Sequence, residues 1–456
     1  MGEDLLGLVL DVRRAKKQGP EGIARRQRER LGAMIALART KSPYYERLYA
    51  DLPEGTASVE LLPTTDKKAL MGAFDEWLTD RSVHLSEAQA FADDATKVGE
   101  PFHGHTLATT SGTSGTKGIF LSDRHALTVT QAIAVRAITS WLSFGDFVRI
   151  IASGGRMAMV MAKGGHFASA VGAAGIKRRL KEKLLQLSVH DPIPEIVTKL
   201  NEFRPALIAP YASIASLLAT EQEEGRLHVH PVLLTLAAEG LAPEEYLRIA
   251  RAFGAKVGNT YASTEVPFLS ASCDHGWLHV NTDWATLEPV DASYKPVPKG
   301  HVSHTVLVSN LANRLQPVLR YDLGDSVVER PDPCPCGSPF PAIRVQGRTS
   351  DVVRLVGRDG QDVAMPPMVF STLLDPVPGI DLYQVVQTAP DALRVRMRVS
   401  GDPVVVWRRV EGDMRDLLKR HGLEHLRLER GDEAPEQTQG GKVRPIIPFK
   451  PKGPSP

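Results

Sequence analysis

Between residues 147 and 260, short apolar runs alternate with stretches of helical periodicity, and this alternation limits what the chain can fold into more than any other feature. Runs at 147–152, 206–209, 232–238 and 256–260 predict strands, whereas 125–142, 212–220 and 243–253 predict helices. Strands separated by helices connect through crossovers, so the expected fold class is α/β: a mainly parallel sheet covered on both faces, with ligands at the carboxyl ends of its strands. Glu239-Gly240 and the run Tyr261-Ala262-Ser263-Thr264-Glu265 both fall just after such strands.

At 456 residues the chain exceeds what one hydrophobic core organises, which predicts two domains. Beyond residue 304 the pattern turns to strands at 305–309, 316–321, 326–329 and 344–348. A β-β-α-β-β-α-β run over 352–429 then predicts a small α+β domain. The boundary expected at Gly347–Asp351 gives a large domain of residues 1–347 and a small one of residues 348–456, whose tail from 433 reads as loop. At the other end, 11–40 predict a surface helix stopped at Pro43, and 67–77 a helix capped by Thr65 or Asp66. Lys+Arg 55 against Asp+Glu 53 leaves +2, without a basic run interleaved with aromatics, so nothing points to nucleic acid. The start at residues 1–10 lacks a basic region followed by an apolar run, and no stretch is long enough to span a bilayer, so a soluble cytoplasmic protein is expected.

The stretch Thr109-Thr110-Ser111-Gly112-Thr113-Ser114-Gly115-Thr116-Lys117-Gly118 packs hydroxyls, glycines and one lysine together, the composition of a phosphate-holding loop. Lys117 stands five residues after Gly112, where a Walker loop needs its second glycine, so another nucleotide class is implied. Taken alone, the stretch also fits a flexible linker.

Its meaning comes from order. The loop, then Tyr261–Glu265, then Arg320-Tyr321-Asp322-Leu323-Gly324-Asp325, then Gly347-Arg348-Thr349-Ser350-Asp351, then Gly440-Gly441-Lys442-Val443-Arg444 resembles the signature of the acyl-adenylate-forming superfamily. Ser42-Pro43-Tyr44-Tyr45, the segment from Asn310 to Pro317 and Cys334-Pro335-Cys336-Gly337 make it similar to the phenylacetate–coenzyme A ligase family. Singly, each residue has an ordinary reading: Tyr261 a packed aromatic, Glu265 and Asp325 caps or surface carboxylates, Arg348 a turn residue, Lys442 a solvated side chain. The resemblance implies ATP-dependent activation of a carboxylic acid, with AMP then displaced by a thiol. It further implies that Ser111 through Lys117 hold the β- and γ-phosphates and that Tyr261 stacks on adenine. Thr264 would bond the α-phosphate, Glu265 would hold Mg²⁺, and Asp325 with Arg348 would contact ribose. Lys442 would bridge the attacking carboxylate and the phosphorus. Glu239-Gly240 would supply an adenine-facing backbone edge or merely turn into a helix.

The chain departs from that pattern in two places. Ala262 replaces a usual glycine, and Ser350 stands where relatives carry a charged pivot, so the hinge is Ser350 or Asp351. Acid-pocket candidates are His166, Phe167, Tyr211, Ala212, Ser213, Ala238 and Ala262, and the family points to an aryl or arylacetic acid. The expected acceptor is coenzyme A; the alternative is an adenylating enzyme that passes the activated group to a carrier-protein thiol or an amine, or that activates another small oxyanion, and a homodimer is compatible with all of these. Cys273, His275, Cys334 and Cys336 form C-x-H and C-x-C pairs that predict a closed structural zinc site, with His279 as a competing ligand and free buried cysteines as the alternative.

Overall fold

The computed structural model describes residues 5–110, 118–161, 165–189, 191–237, 240–241, 243–267, 269–348, 351–360, 362–365, 367–374, 377–436 and 443–449; the side chains at 348, 364, 368, 371 and 372 are also outside the description. A nine-stranded sheet runs through the larger part, in the order Asp325–Glu329, Ala342–Arg348, Leu278–Val280, Ser270–Ser272, Lys256–Tyr261, Leu233–Leu236, Leu207–Pro210, Met157–Met161 and Leu184–Ser188. The last five are mutually parallel and are joined by helices, as the alternating pattern predicts. The first four add antiparallel strands to that block. Ala158, Val160, Ile208, Leu234 and Leu236 fill the sheet core against Ala212–Glu223, Ile193–Phe203 and Pro243–Phe253.

Residues 147–152 are not a strand: they belong to a helix, Phe144–Ala152. Six apolar-rich residues suit either structure, and the entry decides between them. Ser143 and Asp146 cap each other's backbone N–H groups in a capping box, and Gly154 and Gly155, with φ 81° and 64°, end the helix. The strand follows at Met157–Met161. Residues 316–320 are likewise irregular, with only Tyr321–Asp322 paired as strand. The N-terminal helix is two helices, Leu5–Lys17 and Gly19–Lys41, and Pro43 opens a third, Pro43–Leu48, capped by Ser42. Asp66 accepts from Ala69 N and caps Lys67–Gly72, while Thr65 pairs with Tyr321.

The small α+β unit has its own core: Val353, Leu355, Phe370, Val385, Val395, Val410 and Met414 pack together. Its sheet runs Arg427–Arg430, Ala392–Val399, Ile380–Ala389 and Ile446–Ile447. The tail is therefore more than loop, since Ile446–Ile447 adds a parallel strand beside Val385 and Val386. No helix of the described residues is long and apolar enough to cross a membrane.

Gly258 in the strand Lys256–Tyr261 lies against the Trp141 ring: a Cβ there would stand 2.5 Å from the ring carbons. Trp141 is fixed by its own Nε1 bond to Ser272 O at 2.7 Å, so it cannot yield freely. Gly258→Ala is expected to destabilise the large domain by about 1–3 kcal/mol, an overpacking cost, read as a lower denaturant midpoint.

Candidate functional site

The strand His105–Thr109 runs antiparallel to Ile119–Ser122, and the hydroxyl-rich loop is the connection between them. Ser111, Gly112, Thr113, Ser114, Gly115, Thr116 and Lys117 lie outside the described residues, but the neck is defined. Thr110 N donates to Gly118 O at 3.0 Å, and Gly118 N donates to Thr110 Oγ1 at 2.9 Å. Gly118 is required at this neck because a Cβ would meet the Phe120 ring at 2.7 Å. Behind it, the exit strand is gripped by amide side chains: Leu121 N donates to Gln316 Oε1 at 2.6 Å, Gln316 Nε2 to Ile119 O at 3.2 Å and Asn313 Nδ2 to Leu121 O at 2.7 Å.

Three of the sequence-derived residues come together with a fourth. The Tyr261 hydroxyl, at the end of its strand, donates to Asp325 Oδ2 at 2.6 Å. Glu265, only 6% exposed, accepts from the Tyr321 hydroxyl at Oε1, 3.1 Å away, and its carbonyl accepts from Asn310 Nδ2 at 2.9 Å. Burial, and next the Glu265 carboxylate, hold the Tyr321 phenol far above its usual range, so it remains a donor. With Oε1 engaged by a neutral donor, Oε2 is the oxygen available to a cation, and a buried carboxylate of this kind fits a hard divalent ion. Thr264 beside it is partly exposed, and Ala262 is exposed. Tyr321 and Asn310 were inside segments singled out in the sequence, yet no role was assigned to them there. Their partners are 56 and 45 residues away, a separation no local pattern encodes.

Asp325 and Arg348 are direct partners across two antiparallel strands, which sets their backbones side by side; the Arg348 side chain is outside the description. Arg320, which takes a left-handed φ of 45°, is held by Glu288 at 3.4 Å and by its bond to Leu62 O at 2.6 Å. Burial pushes the Glu288 carboxyl up to about 7.

His166 and Phe167 lie beside Thr109, at the end of the strand that enters the loop. His166 O accepts from Thr109 N at 2.7 Å, and the His166 ring bonds Asp94 O through Nε2 at 3.0 Å beside Phe91. Phe167 opens the helix Ala168–Leu180; Tyr211, 4% exposed, meets Ser169 of that helix at 3.1 Å, and Phe167 and Tyr211 share one apolar cluster. Gly240 is exposed, while Ala238 and Glu239 lie outside the described residues, as do Thr349, Ser350 and Lys442. Asp351 is described, and it forms an ion pair with Arg444.

A second cluster stands apart. Ligand atoms of Cys273, His279, Cys334 and Cys336 all lie within 4.8 Å of one another. The structure brings in His279, the competing ligand, and leaves His275 on an exposed turn. The reason is backbone direction: Cys273 N bonds Trp277 O across a tight turn, so position 275 lies at its tip while the returning strand Leu278–Val280 presents His279 to the sulfurs. His279 Nδ1 donates to Phe340 O at 2.9 Å, which leaves Nε2 as the lone-pair nitrogen facing Cys336 Sγ at 3.1 Å. Cys273 Sγ and Cys334 Sγ are 3.7 Å apart, close to the roughly 3.8 Å that two thiolates bound to one tetrahedral zinc adopt.

No family model matches the chain, and no curated protein matches it in sequence. Solved structures do. A 2-hydroxyisobutyryl-CoA ligase in its postadenylation state superposes with a TM-score of 0.67 at 20% identity, over 94% of this chain and 90% of that one. This chain has the fold of the adenylate-forming ligases. The same ligase in its thioesterification state, with 2-HIB-AMP and CoA, gives 0.53 at 20% identity over 92% and 88%. The amide bond synthetase McbA from Marinactinospora thermotolerans gives 0.50 at 16% identity, over 75% and 68%.

Purified protein is expected to carry close to one zinc per chain by metal analysis, His279→Ala to lower that stoichiometry severalfold, and His275→Ala to leave it unchanged. A zinc content near zero in the unaltered chain would reject the site.

Proposed function

We propose that the chain is an acyl-adenylate-forming enzyme of the phenylacetate–coenzyme A ligase type, which activates an aryl or arylacetic acid with ATP and passes the acyl group to coenzyme A. The observation that carries this reading is the paired contact of Tyr261 with Asp325 and of Tyr321 with Glu265, because it joins two of the separated motifs in one buried constellation. In the first step a carboxylate oxygen attacks the α-phosphorus of ATP, and the bond to pyrophosphate breaks. In the second, the coenzyme A thiolate attacks the acyl carbon and AMP departs.

The residues have distinct tasks in this scheme. Ser111, Gly112, Thr113, Ser114, Gly115, Thr116 and Lys117 would hold the outer phosphates, and the hydrogen-bonded neck at Thr110 and Gly118 fixes where that loop begins and ends. Tyr261 would lie against adenine with Glu239-Gly240 at its edge, and Asp325 has the acceptor oxygens for the ribose hydroxyls beside Arg348. Thr264 would donate to the α-phosphate. Glu265 would hold Mg²⁺, which neutralises phosphate charge when bound. Lys442 would stabilise charge developing between carboxylate and phosphorus. His166, Phe167, Tyr211, Ala238 and Ala262 would face the acid, and the apolar packing of Phe167 and Tyr211 favours a flat ring over a polar chain.

We place the domain boundary at 347/348, so that residues 348–456 turn as a body after adenylation and withdraw Lys442 from the phosphates. The amide synthetase fold favours one second reading, in which an amine replaces the thiol as acceptor. The zinc cluster is remote from this chemistry in role: it would pin the 334–341 segment to the strands at 270–280.

Pyrophosphate release with ATP and Mg²⁺, across aryl, arylacetic and short aliphatic acids with coenzyme A or an amine present, tests the reading. An aryl or arylacetic acid is expected to stimulate release, and coenzyme A to convert it to a thioester; no stimulation by any acid would reject adenylation. Lys442→Ala is expected to lower adenylate formation by about a hundredfold or more while leaving thioester formation from supplied acyl-adenylate nearly intact.

A further inference from the structure

The helix Phe144–Ala152 is apolar on both sides, which the packing of a surface helix does not require. Phe147 and Ile150 turn inward, against the cluster that holds Trp141 and Leu233. Phe144, Val148 and Ile151, spaced i, i+4 and i+7, form a second stripe that is 85%, 50% and 76% exposed. A polar residue at any of these three positions would serve the fold equally well, so the stripe calls for another reason.

Strand register places this helix at one end of the parallel sheet. Leu184, Met157, Leu207, Leu233 and Lys256 stand level across the five strands, at their amino ends. The chain reaches that row through exposed cations: Lys181 and Lys183 before Leu184, Arg204 before Leu207, and Lys256 itself. Arg156, just before Met157, is tied to Arg204 O at 3.2 Å. The Ser143 N–H and hydroxyl hold the Asp146 carboxyl of the helix below its usual range, and Lys256 and Arg149 add to this, which puts Lys256 beside the helix. Arg149 is exposed on the helix itself. The acids of these segments are Asp146, Glu182 and Glu202, so this end is basic in a chain whose net charge is +2. Glu221, Glu223 and Glu224 do not offset it: their helix packs on the face of Ile208 and Leu234, opposite the face of Leu207 and Leu233, and they pair with Arg226 and Arg248.

We propose that this end of the large domain docks on an anionic lipid bilayer, with Phe144, Val148 and Ile151 below the headgroups and Arg149, Arg156, Lys181, Lys183, Arg204 and Lys256 against their negative charge. Side chains this exposed protrude rather than line a groove, and cations spread over separate loops suit a charged plane better than a single charged ligand. The helix would lie in the interface, not cross it. Lys256 begins the strand that Tyr261 ends, so the candidate site is about 17 Å away at the other end of the sheet and stays open to water.

Sedimentation of the full chain with phosphatidylcholine vesicles, with and without phosphatidylserine, tests this. The chain is expected to pellet with the phosphatidylserine vesicles, to bind phosphatidylcholine alone at least about fivefold less, and to be released as salt is raised. Phe144→Ser combined with Ile151→Ser is expected to lower partition onto the anionic vesicles by on the order of tenfold or more, and Lys183→Glu combined with Lys256→Glu by a similar factor with a weaker salt dependence. All four positions are exposed, and an unchanged denaturant midpoint separates loss of the surface from loss of the fold. No binding to anionic vesicles, or binding that either folded double variant leaves unchanged, overturns the proposal. So does a dimer that Phe144→Ser with Ile151→Ser dissociates in the absence of vesicle binding, because a second copy of the chain would then cover the stripe.

Discussion

The side-chain amides of Asn310, Asn313 and Gln316 are the constraint on which the site depends. The strand Ile119–Ser122 leaves the hydroxyl-rich loop with backbone groups turned into the interior, and among the described residues no neighbouring strand pairs with it on that side. Gln316 and Asn313 do so, each fully or nearly fully buried, and Asn310 holds the Glu265 carbonyl with the same chemistry. A buried N–H or carbonyl without a partner costs about 1–3 kcal/mol, so removing the Gln316 or Asn313 amide would loosen the strand edge, and removing the Asn310 amide would loosen Glu265. The Pro317 carbonyl is in turn gripped by the Tyr45 hydroxyl at 3.1 Å and by Trp77 Nε1 at 2.5 Å. Through these contacts the helices of the N-terminal region, the loop neck and Glu265 share one support.

This support also explains where the sequence was legible and where it was not. The parallel strands and their helices read clearly, because burial on both sheet faces writes continuous apolar runs between capped helices. Residues 316–320 read as a strand because their side chains look like one, but the sheet edge there is completed by amide side chains rather than by backbone, a choice that periodicity does not record. Residues 147–152 failed differently: the run is apolar enough for a strand, and the capping box at Ser143 and Asp146 outweighs it. The site residues were found as motifs in order, which gave Tyr261, Glu265 and Asp325. Tyr321 and Asn310 were missed as contributors, since each is defined by a partner distant in the chain. For the cysteine–histidine cluster the cysteines were legible, and which histidine joins them depends on the direction of the turn at 273–277.

The surroundings of Glu265 and those of Arg396 are built on different physics. Around Glu265 the groups are buried, neutral donors face a carboxylate, and burial keeps the Tyr321 phenol protonated. Around Arg396 the groups are arginines, acids and the Gln384 amide, with Glu433 and Glu436 exposed to solvent. The first arrangement favours a fixed geometry; the second couples pieces that can move as a unit without leaving a bare charge in the interior.

The cross-strand register of Asp325 and Arg348 has a mechanical meaning. In the proposed scheme it would set the ribose-holding Asp325 beside the strand end that leads to the proposed hinge, whereas Arg444, 93 residues beyond Asp351, would ride on the lever. Displacement grows with distance from a fulcrum. A nucleotide anchored at Asp325 would therefore stay nearly still while the lever swings, so that one bound nucleoside could serve both strokes without being released and recaptured between them.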